Sequence, residues 1–133
     1  MRYMLDTNIC IYAIKQKPER VFKKLQKIDP TNVCISSVTY AELVYGVEKS
    51  AAVEKNRLAL AILLSNIEIV NFDIDAANEY GRIRADLEKR GTPIGPLDMM
   101  IAGHGKSRGC TIVTNNVKEF SRVKGLKIAN WAE

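Results

Sequence analysis

Short, mostly apolar runs alternate with helix-period stretches along the chain, and this alternation limits the available folds more than any other feature. The runs are Tyr3-Met4-Leu5, Val33-Cys34-Ile35, Glu68-Ile69-Val70, Cys110-Thr111-Ile112-Val113 and Leu126-Lys127-Ile128. Cys110 to Val113 is uncharged and β-branched, the pattern of a strand buried on both faces, and Leu126-Lys127-Ile128 reads as an edge strand. Between the runs, apolar residues recur at helical spacing. Helices are expected over Thr7–Lys15, from Pro18 to near Asp29-Pro30, over 38–50, 54–66 and 74–90, in a stretch ending near Arg108-Gly109, and briefly after Asn115. Ser36 and Ser37 are natural caps for the third, Asp73 caps the long helix and Gly91 stops it. The expected class is α/β, with a mostly parallel sheet of about five strands covered by helices.

A chain of 133 residues with 47% hydrophobic content supports one core, so a single domain over 1–133 is expected. No apolar run of about 18 residues and no charged leader with a long apolar stretch is present, so the expectation is a cytoplasmic protein with no membrane partner. Cys10, Cys34 and Cys110 each sit in an apolar run, which favours buried reduced thiols over disulfides or zinc ligation. Lys and Arg number 20 against 15 acids, a balance that suits a polyanionic partner. The excess is local. Arg20, Lys23, Lys24 and Lys27 follow i, i+3, i+4, i+7 spacing, while Val21, Phe22, Leu25 and Ile28 take the other side. That face is either solvated or tracks phosphates. A second basic set, Arg82, Arg84, Lys89, Arg90, Lys106 and Arg108, carries the same two readings.

Four acids stand where a strand gives way to a helix or in the helix's first turn: Asp6, Glu42, Asp98 and Glu119. Each has an ordinary explanation. Asp6 suits an N-cap, Thr39-x-x-Glu42 and Asn116-x-x-Glu119 resemble capping boxes, and Asp98 sits where negative charge suits a helix dipole. Together they suggest more, because strand-to-helix junctions of a parallel sheet share one edge, where ligands bind. Carboxylates crowded there repel one another unless a cation joins them. Oxygen donors without nearby His or Cys select Mg²⁺ or Mn²⁺ over zinc. Such an ion can activate water and stabilise an in-line phosphoryl displacement, so the chemistry implied is metal-dependent phosphodiester hydrolysis.

Other chemistries find little support. There is no Gly-rich phosphate loop with Lys-Ser/Thr, and no serine elbow or Cys/His pairing. His104, the one histidine, lies six residues after Asp98, about 600° around a helix, and is expected to be structural. Gly81, inside the long helix, costs about 1 kcal/mol against Ala and so suggests close packing at that point.

Four motifs carry a resemblance over nearly the whole length: Met4-Leu5-Asp6-Thr7-Asn8, the stretch from Ser36 through Glu42 to Gly46, Gly95-Pro96-Leu97-Asp98 through His104, and Val113-Thr114-Asn115-Asn116 through Phe120. The chain resembles PIN-domain endoribonucleases of the VapC toxin type. The resemblance implies a three-layer α/β/α fold and an RNase dependent on Mg²⁺ or Mn²⁺, with Asp6, Glu42, Asp98 and Glu119 as catalytic acids and Asp6 and Asp98 as metal ligands. It places Thr7, Asn8, Thr114 and Asn116 as residues that position metal or substrate. Asn116 stands where many relatives carry Asp, which makes Glu119 the fourth acid. It also implies a VapB-type antitoxin partner, a homodimer and toxin–antitoxin hetero-oligomer, assembly on promoter DNA, and cleavage of tRNA, with the initiator tRNA anticodon loop as target. The apolar stretch from Leu58 to Leu64, with Tyr40, Leu43 and Val47, is either core or the seat of that antitoxin.

Two competitors remain. A non-catalytic RNA-binding module would use the basic stretch from Arg20 to Lys27. A receiver-like phospho-acceptor domain needs an aspartate after the third strand and a late lysine, roles that Asp73 and Lys118 fill poorly.

Overall fold

The computed structural model describes residues 2–133. Five strands, β1 (Tyr3–Leu5), β2 (Val33–Ser36), β3 (Glu68–Val70), β4 (Thr111–Val113) and β5 (Lys127–Ala129), form one sheet in the order β3-β2-β1-β4-β5. Every pairing is parallel, so no strand breaks the direction of the sheet. The helices are α1 (Thr7–Lys15), α2 (Glu19–Lys27), α3 (Ser37–Glu48), α4 (Val53–Leu64), α5 (Ile74–Lys89), α6 (Pro96–Ser107) and α7 (Val117–Phe120).

Because successive strand residues face opposite sides, the sheet feeds two cores. Met4, Cys34 and Ile112 point to one, packed with Ile83 and Leu87 of α5 and Met99, Ile101 and Ala102 of α6. Leu5, Val33, Ile35 and Val113 point to the other, with Ile9, Cys10, Val21, Leu43 and Leu60 from α1 to α4. Two helical layers therefore cover one sheet. All three cysteines are free and buried.

The chain winds outward from β1 through β2 to β3, then crosses back to β4 and β5 on the other side of β1. The loops leaving β1 and β4 thus diverge, and the gap between them is the switch point where open α/β sheets place ligands. Asp6 follows β1 and Thr114 follows β4. The junction is held by Asp6 N–H donating to the Val113 carbonyl at 3.0 Å and Thr114 N–H donating to that of Ala129 at 3.0 Å.

Several local expectations are corrected. Gly81 is exposed, and a Cβ there would meet nothing within 4 Å. The close approach of α5 and α6 falls instead at Gly103, whose Cβ would lie 2.7 Å from the Tyr80 nitrogen. Pro18 is the N-cap of α2 and not in its first turn. Tyr40, left between core and antitoxin seat by its sequence, is 39% exposed, whereas Thr39 beside it is buried. Among the described residues, no helix is long and apolar enough to cross a membrane.

Candidate active site

Asp6 is the best buried of the four acids, at 4% exposure. It caps α1, its Oδ1 accepting from the Ile9 N–H at 3.0 Å. The capping reading is therefore correct, yet the cap leaves Oδ2 free of the helix. Thr114, fully buried at the end of β4, hydrogen-bonds the same carboxylate through its hydroxyl. Thr114 Oγ1 in turn accepts the Asn116 N–H at 2.9 Å. Burial pushes the Asp6 carboxyl up to about 6; the bonds from Thr114 and Ile9 oppose the rise, and the Asp98 and Glu42 charges add to it.

Glu42 reaches the same place from α3. Ser36, not Thr39, caps that helix, its Oγ accepting from the Val38 N–H at 3.0 Å. The expected Thr39-x-x-Glu42 capping box is absent, and Thr39 Oγ1 has no hydrogen-bond partner. Glu42 is thereby released to accept from the Thr7 hydroxyl at 2.7 Å, which ties the start of α1 to the first turns of α3.

Asp98 lies in the first turn of α6, behind Gly95 and Pro96. Its carboxyl is pushed up by burial first, then by the Glu119 and Glu42 charges. Asn116 caps α7 without a side-chain cap bond, so the second expected capping box is also absent. Its amide bridges two acids instead, with Nδ2 donating to Glu119 Oε2 at 3.0 Å and lying 3.5 Å from Asp98 Oδ2. Two of the departures from simple capping thus have one result. They turn carboxylates away from their own helices and into the switch-point gap.

The remaining candidates separate. Thr7, Thr114 and Asn116 belong to the cluster; Asn8 is exposed on α1. Arg20, Lys23, Lys24 and Lys27 all face solvent on α2, as their spacing requires, and Lys23 pairs with Glu19 at 3.3 Å. In the second basic set, Arg82, Arg84 and Arg90 pair with Glu79, Glu88 and Asp86 of their own helix. Asp73 uses its carboxylate to cap α5, accepting from the Ala76 N–H at 2.9 Å, and Lys118 is exposed, so the phospho-acceptor roles are unfilled.

His104 is buried against the rim and does not join the acids. Its Nδ1 meets Ser36 Oγ at 2.8 Å, and its ring lies edge-on to Phe72. Burial lowers its pKa, and Arg108 adds to this against the opposing charge of Asp73. A neutral imidazole thus braces the residue that starts α3. Nothing in the sequence signals this pair, because the partners lie 68 residues apart.

Among the described residues, none of the four acids takes part in an ion pair. No three Asp, Glu, His or Cys side chains are close enough to form a ready-made metal cage. The set still fits Mg²⁺ or Mn²⁺, since hard oxygen donors are the only ones present and Mg²⁺ takes one or two carboxylates beside several waters.

The PIN-domain profile matches residues 3–126. The tRNA(fMet)-specific endonuclease VapC of Salmonella typhimurium is 47% identical over 131 residues, covering 98% of each chain. The protein of the same name from Shigella flexneri is 48% identical over 132 residues, covering 99% of each. The crystal structure of DNA-bound VapBC from Salmonella typhimurium superposes with a TM-score of 0.92 at 46% identity, covering 98% of each chain. With its switch-point acids and full-length similarity, the chain belongs to the PIN-domain family, as a VapC-type member.

Proposed function

We propose that this chain is the toxin of a type II toxin–antitoxin pair, a divalent-metal-dependent endoribonuclease that cuts tRNA and is neutralised by a VapB-type antitoxin. The observation that carries the reading is the convergence of Asp6, Glu42, Asp98 and Glu119 on one gap with, among the described residues, no cationic side chain paired to any of them. Carboxylates gathered without a cation repel one another, a cost that a bound divalent ion would offset.

Asp6 and Asp98 are the residues to hold Mg²⁺ or Mn²⁺. When bound, that ion supplies activation of water and neutralisation of charge at the scissile phosphate. Thr114 fixes the orientation of Asp6, and the Thr7 hydroxyl holds one oxygen of Glu42, leaving the other to accept a proton or orient water. Asn116 keeps Asp98 and Glu119 apart yet adjacent by donating between them, so Glu119 serves as the fourth acid and the amide as its positioning group. Initiator tRNA is the first substrate to test, because the Salmonella and Shigella relatives are tRNA(fMet)-specific endonucleases.

The α3–α4 surface suits the antitoxin. Leu58 and Ile62 of α4 are 63% and 66% exposed, and Tyr40 stands beside a cavity of about 310 Å³ that includes Val44, Val47, Leu60 and Ala61. Leu60 itself is 6% exposed and belongs to the core. A homodimer, and a hetero-oligomer on promoter DNA, complete the proposed assembly.

The test is a digest of initiator tRNA and total RNA with Mg²⁺, with EDTA, and with Asp98→Asn. Cleavage that EDTA abolishes, and that Asp98→Asn loses while still binding RNA, is the expected result. Cleavage persisting in EDTA, or an Asp98→Asn variant as active as the wild type, would remove the metal-nuclease reading. For the partner, Leu58→Glu with Ile62→Glu should leave a folded nuclease that no longer co-purifies with a co-expressed antitoxin.

A further inference from the structure

Glu42 shares its helix face with two residues that the acid cluster does not use. Tyr45 and Lys49 follow it at i+3 and i+7, on the same side of α3. At 1.5 Å per residue they stand about 4.5 Å and about 10.5 Å further along the axis. Tyr45 is 65% exposed, and Lys49 Nζ lies 4.7 Å from its ring centroid. Between them Gly46 leaves the helix bare, since a Cβ there would meet nothing within 4 Å. All three border a groove of about 770 Å³ that begins at Thr7 and Glu42 and has Leu97 and Met100 on its opposite wall. Leu97 directly precedes Asp98, so both walls of the groove start from site acids.

An exposed tyrosine by itself needs no explanation. Here it is the middle member of a series: acid, aromatic ring, cation. Among the described residues Lys49 has no ion-pair partner, so an apolar protein segment laid in the groove would have to desolvate an unpaired charge. A nucleotide strand meets the same surface with a ring to stack and a phosphate to pair, and charge complementarity favours it.

We propose that Tyr45 and Lys49 form a nucleotide subsite for the RNA strand next to the bond being cut, an unpaired base stacking on Tyr45 and its phosphate pairing with Lys49. The subsite rests on the ribonuclease reading and gives it a selection rule. Stacking on an aromatic ring is tolerant of base identity but needs a base free of its neighbours, so the groove selects single-stranded loops over duplex. Gly46 is the opening that lets the base approach.

Binding and cleavage are measured separately so that the two readings can fail separately. Binding is read by anisotropy of a fluorescent single-stranded RNA on full-length Asp98→Asn protein. There Tyr45→Ala should weaken Kd about tenfold, and Tyr45→Phe should restore it to within about twofold. Lys49→Ala should lower the slope of log Kd against log salt by about 0.7. A duplex of the same sequence should bind more weakly than the single strand and be insensitive to Tyr45→Ala. With otherwise wild-type protein, Tyr45→Ala should raise KM for a hairpin-loop substrate by a similar factor. An unchanged Kd in folded Tyr45→Ala, or a Phe variant as weak as the Ala variant, overturns the subsite even if RNA is still cut. A change in oligomeric state or antitoxin retention with RNA affinity intact overturns it in favour of a protein interface. Absence of metal-dependent cleavage in the wild type sinks the ribonuclease reading, and the binding series then decides the subsite alone.

Discussion

Replacing Asp6 with Asn should make the metal-free protein more stable while removing its activity. Asp6 is 4% exposed and its carboxyl is raised from 3.8 to about 6, chiefly by burial. At 1.36 kcal/mol per pKa unit, that shift means that ionised Asp6 costs the fold about 3 kcal/mol at neutral pH. Asn keeps the oxygen that caps α1 and that Thr114 can donate to, so little of the structural role is lost. The sign follows from the raised value. The folded state holds this proton more tightly than the unfolded chain, so the associated stability is fully present below about pH 3.8 and is lost as pH rises through about 6. The advantage of Asp6→Asn is therefore about 2–3 kcal/mol at pH 8, near zero at pH 4, and changes mainly across that interval. For a chain of 133 residues this is a rise in Tm of about 6–10 °C. Thermal unfolding in EDTA, followed by circular dichroism from pH 4 to 8, measures it. Adding Mg²⁺ should raise the Tm of the wild type and move Asp6→Asn much less. A variant no more stable than wild type at pH 8 in EDTA would refute the assignment of Asp6 as a strained, ion-requiring carboxylate.

Three further substitutions test other parts of the structure. Gly81 and Gly103 should respond oppositely to alanine: Gly81→Ala should stabilise by about 0.5–1 kcal/mol, since its Cβ meets open space in a helix. Gly103→Ala should cost about 1–3 kcal/mol, since its Cβ would strike the Tyr80 backbone; urea denaturation of both variants checks the pair, and equal effects would contradict the α5–α6 contact. Asn116→Asp replaces a donor bridging Asp98 and Glu119 with a third negative charge, so the Asp98 carboxyl should rise further. The variant should lose about 1–2 kcal/mol in EDTA at pH 8 and recover it with Mg²⁺ beyond the recovery seen in wild type, as read by Tm; a Tm unchanged from wild type in EDTA counts against the bridge.

How legible the molecule was in its sequence depended on how far apart the cooperating residues lie. A short strand is written in a few consecutive residues, so Tyr3–Leu5 and Glu68–Val70 match their expected bounds and Thr111–Val113 is one residue shorter. Sheet order is not local. The placement of β4 beside β1, which makes the gap between Asp6 and Thr114 the ligand site, is decided by which faces the long α5 and α6 cover. Gly81 misled for the same reason: a glycine in a helix announces that something is unusual, but only the partner helix shows that the close approach belongs to Gly103.

The acids themselves were legible as positions, whereas their roles turned on caps. A capping box and a catalytic acid both ask for a carboxylate in the first turn of a helix, so sequence spacing alone cannot separate them. Side-chain competition does. Ser36 satisfies the start of α3 and is braced by His104, which leaves Glu42 free to cross to Thr7. Asn116 gives its amide to Glu119 and Asp98 while Thr114 takes its backbone N–H, so α7 begins without a carboxylate cap. Asp6 alone serves both uses, because a carboxylate has two oxygens and the helix needs one. The fold thus stabilises α3 and α7 by other means than the acids next to them. This is the arrangement expected where the negative charge is retained for a ligand and not for the helix.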